Sequence, residues 1–349
     1  MKKNDPRISL LQGGRRLWWD VREGRMVPAA TLYIPFGCPD WGETGGQRNS
    51  RCTFCPLPNA VIGYRNGFYG GAPVPDTDHL AFFKETLVRT LREGSVHTLM
   101  VFNAGSFLAM SPSLREAVAA EVGRSPVKRL VVESRAELIT IPNLEPVLRG
   151  IPSDRLTVRI GVETQDDRTR LSLLRKGHTR KELLRASALL RELGICSGGY
   201  VLLGPVPGMQ PSMAVAEACA TIRWVLGSGP GDLGMNEAYF SSANVGPGTV
   251  LEEAWRDGEF CPANLWMVLE VLRHTGGHPG RVHLLPFRDE PPLLAVPSNH
   301  VPKGISEDLA GAQGCDLEFH AMLDAYRRTM DPAALAAPPK CSCRPSWFL

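Results

Sequence analysis

The 349-residue sequence holds no run of about 18 apolar residues, so no membrane-spanning helix is expected. The N-terminus, MKKNDPRISLLQGGRRLWW, starts with charge but has no apolar core, so no secretory signal is expected. No GxGxxG follows the first predicted strand, which argues against a dinucleotide-binding Rossmann domain. No repeat of fixed period and no low-complexity block is present. Excess charge is also missing. With 39 basic and 36 acidic residues the net charge is only +3, which neither demands nor excludes nucleic acid.

What is present is ordinary bulk and unusual cysteine. Apolar residues make up 43% and charged residues 21%, enough for one large α/β domain plus an extension. Nine cysteines, an odd number with no secretory signal, point to a reducing compartment, and a cytoplasmic protein is expected. Three of them, Cys38, Cys52 and Cys55, stand as C-x13-C-x2-C in a loop rich in Gly, Asn, Asp and Ser. A short apolar run, Thr31 to Phe36, precedes them and reads as a strand. Three thiolates at a strand end suit a soft metal centre. Iron–sulfur clusters usually take four cysteines, so three would leave one iron open to a ligand that is not protein. Two other readings stand beside this one. One is a structural zinc with a fourth ligand, although no second C-x-x-C or His pair follows at zinc-finger spacing. The other is that these are plain buried thiols.

From the cysteine loop onward the pattern alternates. Helices are predicted over 78–94, 111–123, 143–149, 166–175, 179–193 and 212–227, and strands over 97–107, 128–137, 155–164, 195–204 and 232–240. With the strand at 31–36 this makes six βα units, hence a parallel sheet. A (β/α)6 partial barrel is expected, with its site at the C-terminal strand ends. Polar residues fall there: Cys38, Asn103 and Ser106, Glu133 and Arg135, Glu163, and Asn236 with Glu237. The expected divisions are an N-terminal flap over 1–29, a core over 30–245, and a C-terminal extension over 246–349 with helices near 249–257 and 264–274. The flap carries Arg15, Arg16, Trp18 and Trp19, a basic aromatic stretch that can touch nucleic acid but more often lies as an amphipathic flap over its own domain.

With these residues in place, the chain resembles the radical S-adenosylmethionine (SAM) superfamily. The long cysteine spacing is similar to the subgroup around the Elongator catalytic subunit, and within it to the radical SAM subunit family of archaeosine synthase. The resemblance rests on NAGSF (103–107), VVESRAE (131–137), IGVETQDD (160–167), RKGHT (175–179), YVLLGPVPGM (200–209), NVGPGTVLEEAW (244–255) and CPANLWMVLEVL (261–272). It implies a partial TIM-type barrel, and a [4Fe–4S] cluster on Cys38, Cys52 and Cys55 with SAM chelated to the open iron. Reductive cleavage of SAM to a 5′-deoxyadenosyl radical is the implied chemistry. Phe54 resembles the aromatic near the adenine, and Asn103, Gly105 and Ser106 the loop that meets the SAM amino group. Glu133, Arg135 and Glu163 stand where polar groups meet the ribose or carboxylate. His178 reads as a turn residue.

The resemblance further implies a modified tRNA base as substrate, a 7-deazaguanine carrying lysine, whose C–N cleavage leaves the amidine of archaeosine. It implies a lysine-adding partner enzyme and a reductant such as flavodoxin or ferredoxin. Other readings are a radical SAM enzyme acting on a small molecule or peptide, and a non-catalytic RNA-binding protein stapled by zinc. The C-terminal part departs from the family pattern. PSNH (297–300) stands where a Cys-bearing stretch is expected, while Cys315, Cys341 and Cys343 follow. These cysteines with His300 are chemically enough for a zinc or a second cluster, the alternative being a loose reduced tail.

Overall fold

The computed structural model describes residues 5–38, 43–44, 47–48, 52–276, 278–287, 293–300 and 314–345. Two compact units partition the chain. Unit one comprises Met1–Ser50, Leu57–Gly161 and Lys181–Gly198, and unit two comprises Arg51–Pro56, Val162–Arg180 and Gly199–Leu349.

Unit one opens with a short helix α1 (Pro6–Leu10) and an antiparallel hairpin of β1 (Gln12–Asp20) and β2 (Arg25–Tyr33). Then come α2 (Leu57–Tyr69), α3 (Asp76–Arg92), β3 (Thr98–Phe102), α4 (Pro112–Arg124), β4 (Arg129–Ser134), α5 (Ile141–Gly150), β5 (Leu156–Glu163) up to Gly161, and α6 (Arg180–Glu192) from Lys181. Strand order is β1-β2-β3-β4-β5, and the pairs β2/β3, β3/β4 and β4/β5 are parallel. Sequence neighbours are sheet neighbours because each helix carries the chain back to start the next parallel strand. The strands are apolar on both faces, as parallel strands covered by helices must be. Leu99, Met100 and Val101 are wholly buried. Each such side chain contributes about 1.5–3 kcal/mol.

Unit two holds the later part of β6 (Cys196–Leu203), then α7 (Pro211–Leu226), β7 (Glu237–Ser242), α8 (Val250–Arg256), α9 (Leu265–His274), β8 (Val282–Leu284) and α10 (Asp316–Thr329). Its strand order is β6-β7-β8, with β7 and β8 parallel. No helix among the described residues is long and apolar enough to cross a membrane.

The α/β class built of βα units is as predicted, and a strand is found at each of the six predicted places, the first running Arg25–Tyr33 rather than 31–36. Three further details differ. The sixth strand starts at Glu237 rather than 232, so Asn236 and Glu237 lie at its beginning and not at its C-terminal end. The apolar letters of Leu233 and Met235 mimic strand, but this stretch approaches the sheet before joining it. The helix expected over 166–175 is shorter, spanning 167–173, and its later part, Thr169–Leu173, widens to π geometry. Helix α3 begins at Asp76, just after Pro75, two residues ahead of the predicted start at 78. Its buried face includes His79, Thr86 and Thr90, while Val88 is exposed. Helix α2, β1 and β8 were not anticipated. The α2 sequence, LPNAVIGYRNGFY, carries two glycines and two asparagines, and tertiary burial of Val61 and Tyr64 overrides that weak propensity.

Candidate functional site

In unit one the chain leaves β2 towards Cys38 over a fixed backbone. Ile34 N donates to Phe102 O (2.8 Å), Gly37 N donates to Asn103 O (2.9 Å), and Arg65 donates to Phe36 O (3.0 Å). Cys38 is half-buried with a free thiol. The predicted loop after β3 therefore lies directly against it. At Gly105 a Cβ would stand 2.3 Å from Gly37 O and 2.6 Å from Cys38 Cα, so only glycine permits this approach. Ala104 has φ +57, a left-handed conformation that costs a non-glycine residue about 1–2 kcal/mol.

Asn103 is the most informative residue of this loop. It is 1% exposed, and neither Oδ1 nor Nδ2 of its amide has a hydrogen-bond partner among the described residues. An unpaired buried amide costs about 1–3 kcal/mol, so its retention asks for a polar ligand. Ser106 is wholly buried but occupied. Its hydroxyl lies 2.9 Å from that of Ser134 and accepts from Arg135 N at 3.2 Å, which ties this loop to the end of β4. Arg135 is buried and its guanidinium pairs with Glu137. Glu133, half-buried, is paired in register with Arg159 of β5. Arg159 is almost wholly buried, with its guanidinium 4.8 Å from the Trp18 ring centre and 5.6 Å from that of Phe102. Trp18 thus belongs to an edge strand of the sheet. Arg15 of the same strand spends its guanidinium on Thr90 O and Ser95 O, both at 2.7 Å.

In unit two, Cys52 is buried and Cys55 half-buried, and neither is in a disulfide. Thr53 between them donates its N–H to Leu174 O (3.2 Å) and its carbonyl accepts from Leu251 N (3.2 Å). Phe54 packs on a cluster of Ala243, Val245, Leu251, Phe260 and Ala295. Gly246 of the NVGPG segment explains its own lack of a side chain: a Cβ there would stand 2.6 Å from Pro56 Cγ.

Beside these thiols stands an ion pair. Glu163 is 4% exposed and adopts φ +64, a strained conformation for glutamate. Its Oε1 lies 2.6 Å from Lys176 Nζ, and Lys176 also lies 5.6 Å from the Phe54 ring centre. Burial works against the Lys176 charge. The Glu163 carboxylate and the Cys52 and Cys55 sulfurs outweigh it and hold the pKa of the ammonium above the ordinary lysine value. The turn that presents Lys176 is knitted by wholly buried Arg170, which donates to His178 O (2.9 Å) and Thr164 O and pairs with Asp167. Burial lowers the Arg170 pKa to about 10. His178 lies in the loop before α6, wholly buried.

The donor set fits the expected cofactors. Three cysteines outside any disulfide suit iron, a buried unsatisfied amide suits an amino acid's ammonium or carboxylate, and a cation beside two thiolates offsets their charge. Sequence reading singled out Glu163 but passed over Lys176, although it lies in the RKGHT segment. Glu163 pairs with Lys176, and Arg135 with Glu137.

Elsewhere in unit two, His300, Cys315, Cys341 and Cys343 converge, with their ligand atoms all within 4.8 Å of one another.

No protein-family model matches the chain. Archaeosine synthase subunit beta of Methanosarcina acetivorans is 26% identical over 331 residues, covering 92% of this chain and 85% of that protein. The protein of the same name from Thermococcus kodakarensis is 25% identical over 197 residues, 55% of this chain and 58% of its own length. Among solved structures, Elp3 of Methanocaldococcus infernus lacking its N-terminus matches 63% of this chain and 55% of its own, at 16% identity and a TM-score of 0.49. Methylornithine synthase matches 88% and 83%, at 14% identity and a TM-score of 0.48. Over nearly its whole length, then, the chain is similar to a protein named archaeosine synthase subunit beta, and over about half of it to a second protein of that name.

Proposed function

We propose that the chain is a radical SAM enzyme and that its substrate is a modified base in tRNA. The observation that carries the reading is Asn103, a buried amide with both polar atoms unspent, in the loop whose backbone receives Gly37 N and abuts Cys38. Cys38, Cys52 and Cys55 would hold a [4Fe–4S] cluster, with Asn103 and the backbone of Gly105 addressing SAM. When bound, that pair supplies the 5′-deoxyadenosyl radical; the protein orients and shields it. Lys176 would place one positive charge beside two of the thiolates, and Glu163 would fix its position. Ser106, Glu133 and Arg135 would shape the wall, and Phe54 would offer an aromatic face.

For substrate, the first candidate is the lysine adduct of a 7-deazaguanine in tRNA, cleaved at a C–N bond to an amidine. Similarity to the Methanosarcina protein extends over 331 residues, past the barrel strands and into the region after 245. Because the relatives are named as a subunit beta, a partner subunit that adds lysine belongs to the proposal. So do a flavodoxin or ferredoxin reductant and a cytoplasmic location.

The test is an anaerobic assay of the reduced protein with SAM and lysine-adduct tRNA, followed by nucleoside mass spectrometry. Deoxyadenosine formation with amidine product supports the reading. Deoxyadenosine indifferent to tRNA moves the substrate to a small molecule or peptide. SAM turnover that survives replacement of Cys38, Cys52 and Cys55 by alanine rejects the cluster assignment. RNA affinity with strong salt dependence and no deoxyadenosine would leave a non-catalytic RNA-binding protein.

A further inference from the structure

The four residues that converge in unit two come from three separate places. His300 ends the segment 293–300, Cys315 precedes α10, and Cys341 and Cys343 lie in the tail. Cys315 Sγ lies 3.4 Å from His300 Nε2 and 3.5 Å from Cys343 Sγ, and Cys341 Sγ lies 3.7 Å from the same nitrogen. These separations are diagnostic. A tetrahedral zinc with Zn–S of about 2.3 Å and Zn–N of about 2.0–2.1 Å sets its ligand atoms roughly 3.6–3.8 Å apart. Thiolates of an iron–sulfur cluster bind different irons and stand farther apart, so the spacing suits one ion.

The surroundings are built for thiolates. Trp266 Nε1–H donates to Cys343 Sγ and Asn299 Nδ2 donates to Cys315 Sγ, each at 3.4 Å. Asn299 is itself fixed. Its Oδ1 accepts from Leu265 N (2.9 Å) and Trp266 N (3.3 Å) at the start of α9, and its N–H donates to Asp316 Oδ1 (3.0 Å). Ser298 donates to Asp316 Oδ2 at 2.6 Å. Gly314 has φ +56, and a Cβ there would stand 2.6 Å from His300 Nε2, so glycine keeps room for the imidazole. Three thiolates and one imidazole around a divalent ion leave one net negative charge, which the two N–H donors offset.

We propose that His300, Cys315, Cys341 and Cys343 bind one structural zinc that staples the C-terminal tail to the starts of α9 and α10. Four protein ligands close the coordination sphere, so the ion holds structure and has no open position for substrate. The site shares no residue with the cysteine loop and stands whether or not the radical SAM reading does.

The test is zinc and iron per full-length chain, purified anaerobically, in three proteins: wild type, the Cys38/Cys52/Cys55→Ala triple variant, and the Cys341→Ser/Cys343→Ser double variant. Wild type and triple variant should each carry one zinc, and the double variant none. Cobalt exchanged into the wild type should show the intense visible bands of a tetrahedral thiolate site, a readout that does not depend on any variant folding. Zinc removal should speed tryptic cleavage after exposed Lys340 at least severalfold. Zinc absent from the wild type, zinc kept by the double variant, or iron in its place overturns the proposal. So does a Cys315–Cys343 disulfide in the anaerobic protein, seen as a loss of two hydrogens in the intact mass.

Discussion

Replacing Lys176 by Met removes the ammonium that pairs with Glu163, a carboxylate that is 4% exposed. Methionine fills most of the lysine stem, so packing changes little and the perturbation is electrostatic. Breaking a buried pair from one side costs about 3–5 kcal/mol, because the remaining charge stays desolvated. Unfolding entropy of about 2.1 cal/mol/K per residue gives roughly 0.7 kcal/mol/K for 349 residues. The thermal midpoint should therefore fall by about 4–7 °C if the chain melts as one, and further if unit two melts alone. Far-UV circular dichroism of the anaerobic protein reads this directly. The Lys176→Met/Glu163→Gln double variant should recover at least half of the loss, since it removes both charges, and the cycle isolates their coupling. A Lys176→Met midpoint within about 1 °C of the wild type would refute the argument.

Three further outcomes are expected. Gly105→Ala should destabilise by about 1–3 kcal/mol or more, because the clash is with backbone at Gly37 and Cys38, and iron content should drop with it. Asn103→Leu should raise the thermal midpoint in the absence of SAM, by relieving an unpaired buried amide, while weakening SAM binding by calorimetry. His79, 3% exposed, has its pKa lowered by burial from 6.5 to about 4. Its folded pKa lies below the unfolded one, so stability is full above pH 6.5 and is lost as pH falls towards 4, by up to about 3 kcal/mol. His79→Leu should flatten the fall in urea midpoints across that window.

Much of this architecture was legible in the letters, for identifiable reasons. Strands β2 to β6 are short apolar runs ended by polar residues, and α6 and α7 have clear periodicity, so the alternation could be counted. The cysteine spacing and NAGSF stood out because their chemistry is uncommon. What escaped depended on contacts distant in sequence. Helix α2 has weak local propensity and is held by burial. Glu163 and Lys176 meet through a turn whose shape depends on buried Arg170, which no periodicity reports. Glu237 was misplaced because Leu233 and Met235 look like strand one turn too early. It lies instead at the start of β7, where its carboxylate meets His283 at 2.9 Å and the Tyr239 hydroxyl.

The anchors of the Cys52–Cys55 segment also set a clock on its assembly. Thr53 is bonded to Leu174 and Leu251, and Pro56 rests against Gly246. At about 5–20 residues per second, a ribosome needs roughly 10–40 s to travel from Pro56 to Leu251. Throughout that interval the nascent chain displays Cys52 and Cys55 without the partners that later hold them. Oxidation or a stray metal ion would find them then. If the loop takes the proposed cluster, its delivery is a late, post-emergence event, and cells that make this protein in air should lose yield in proportion to how slowly its second half is translated.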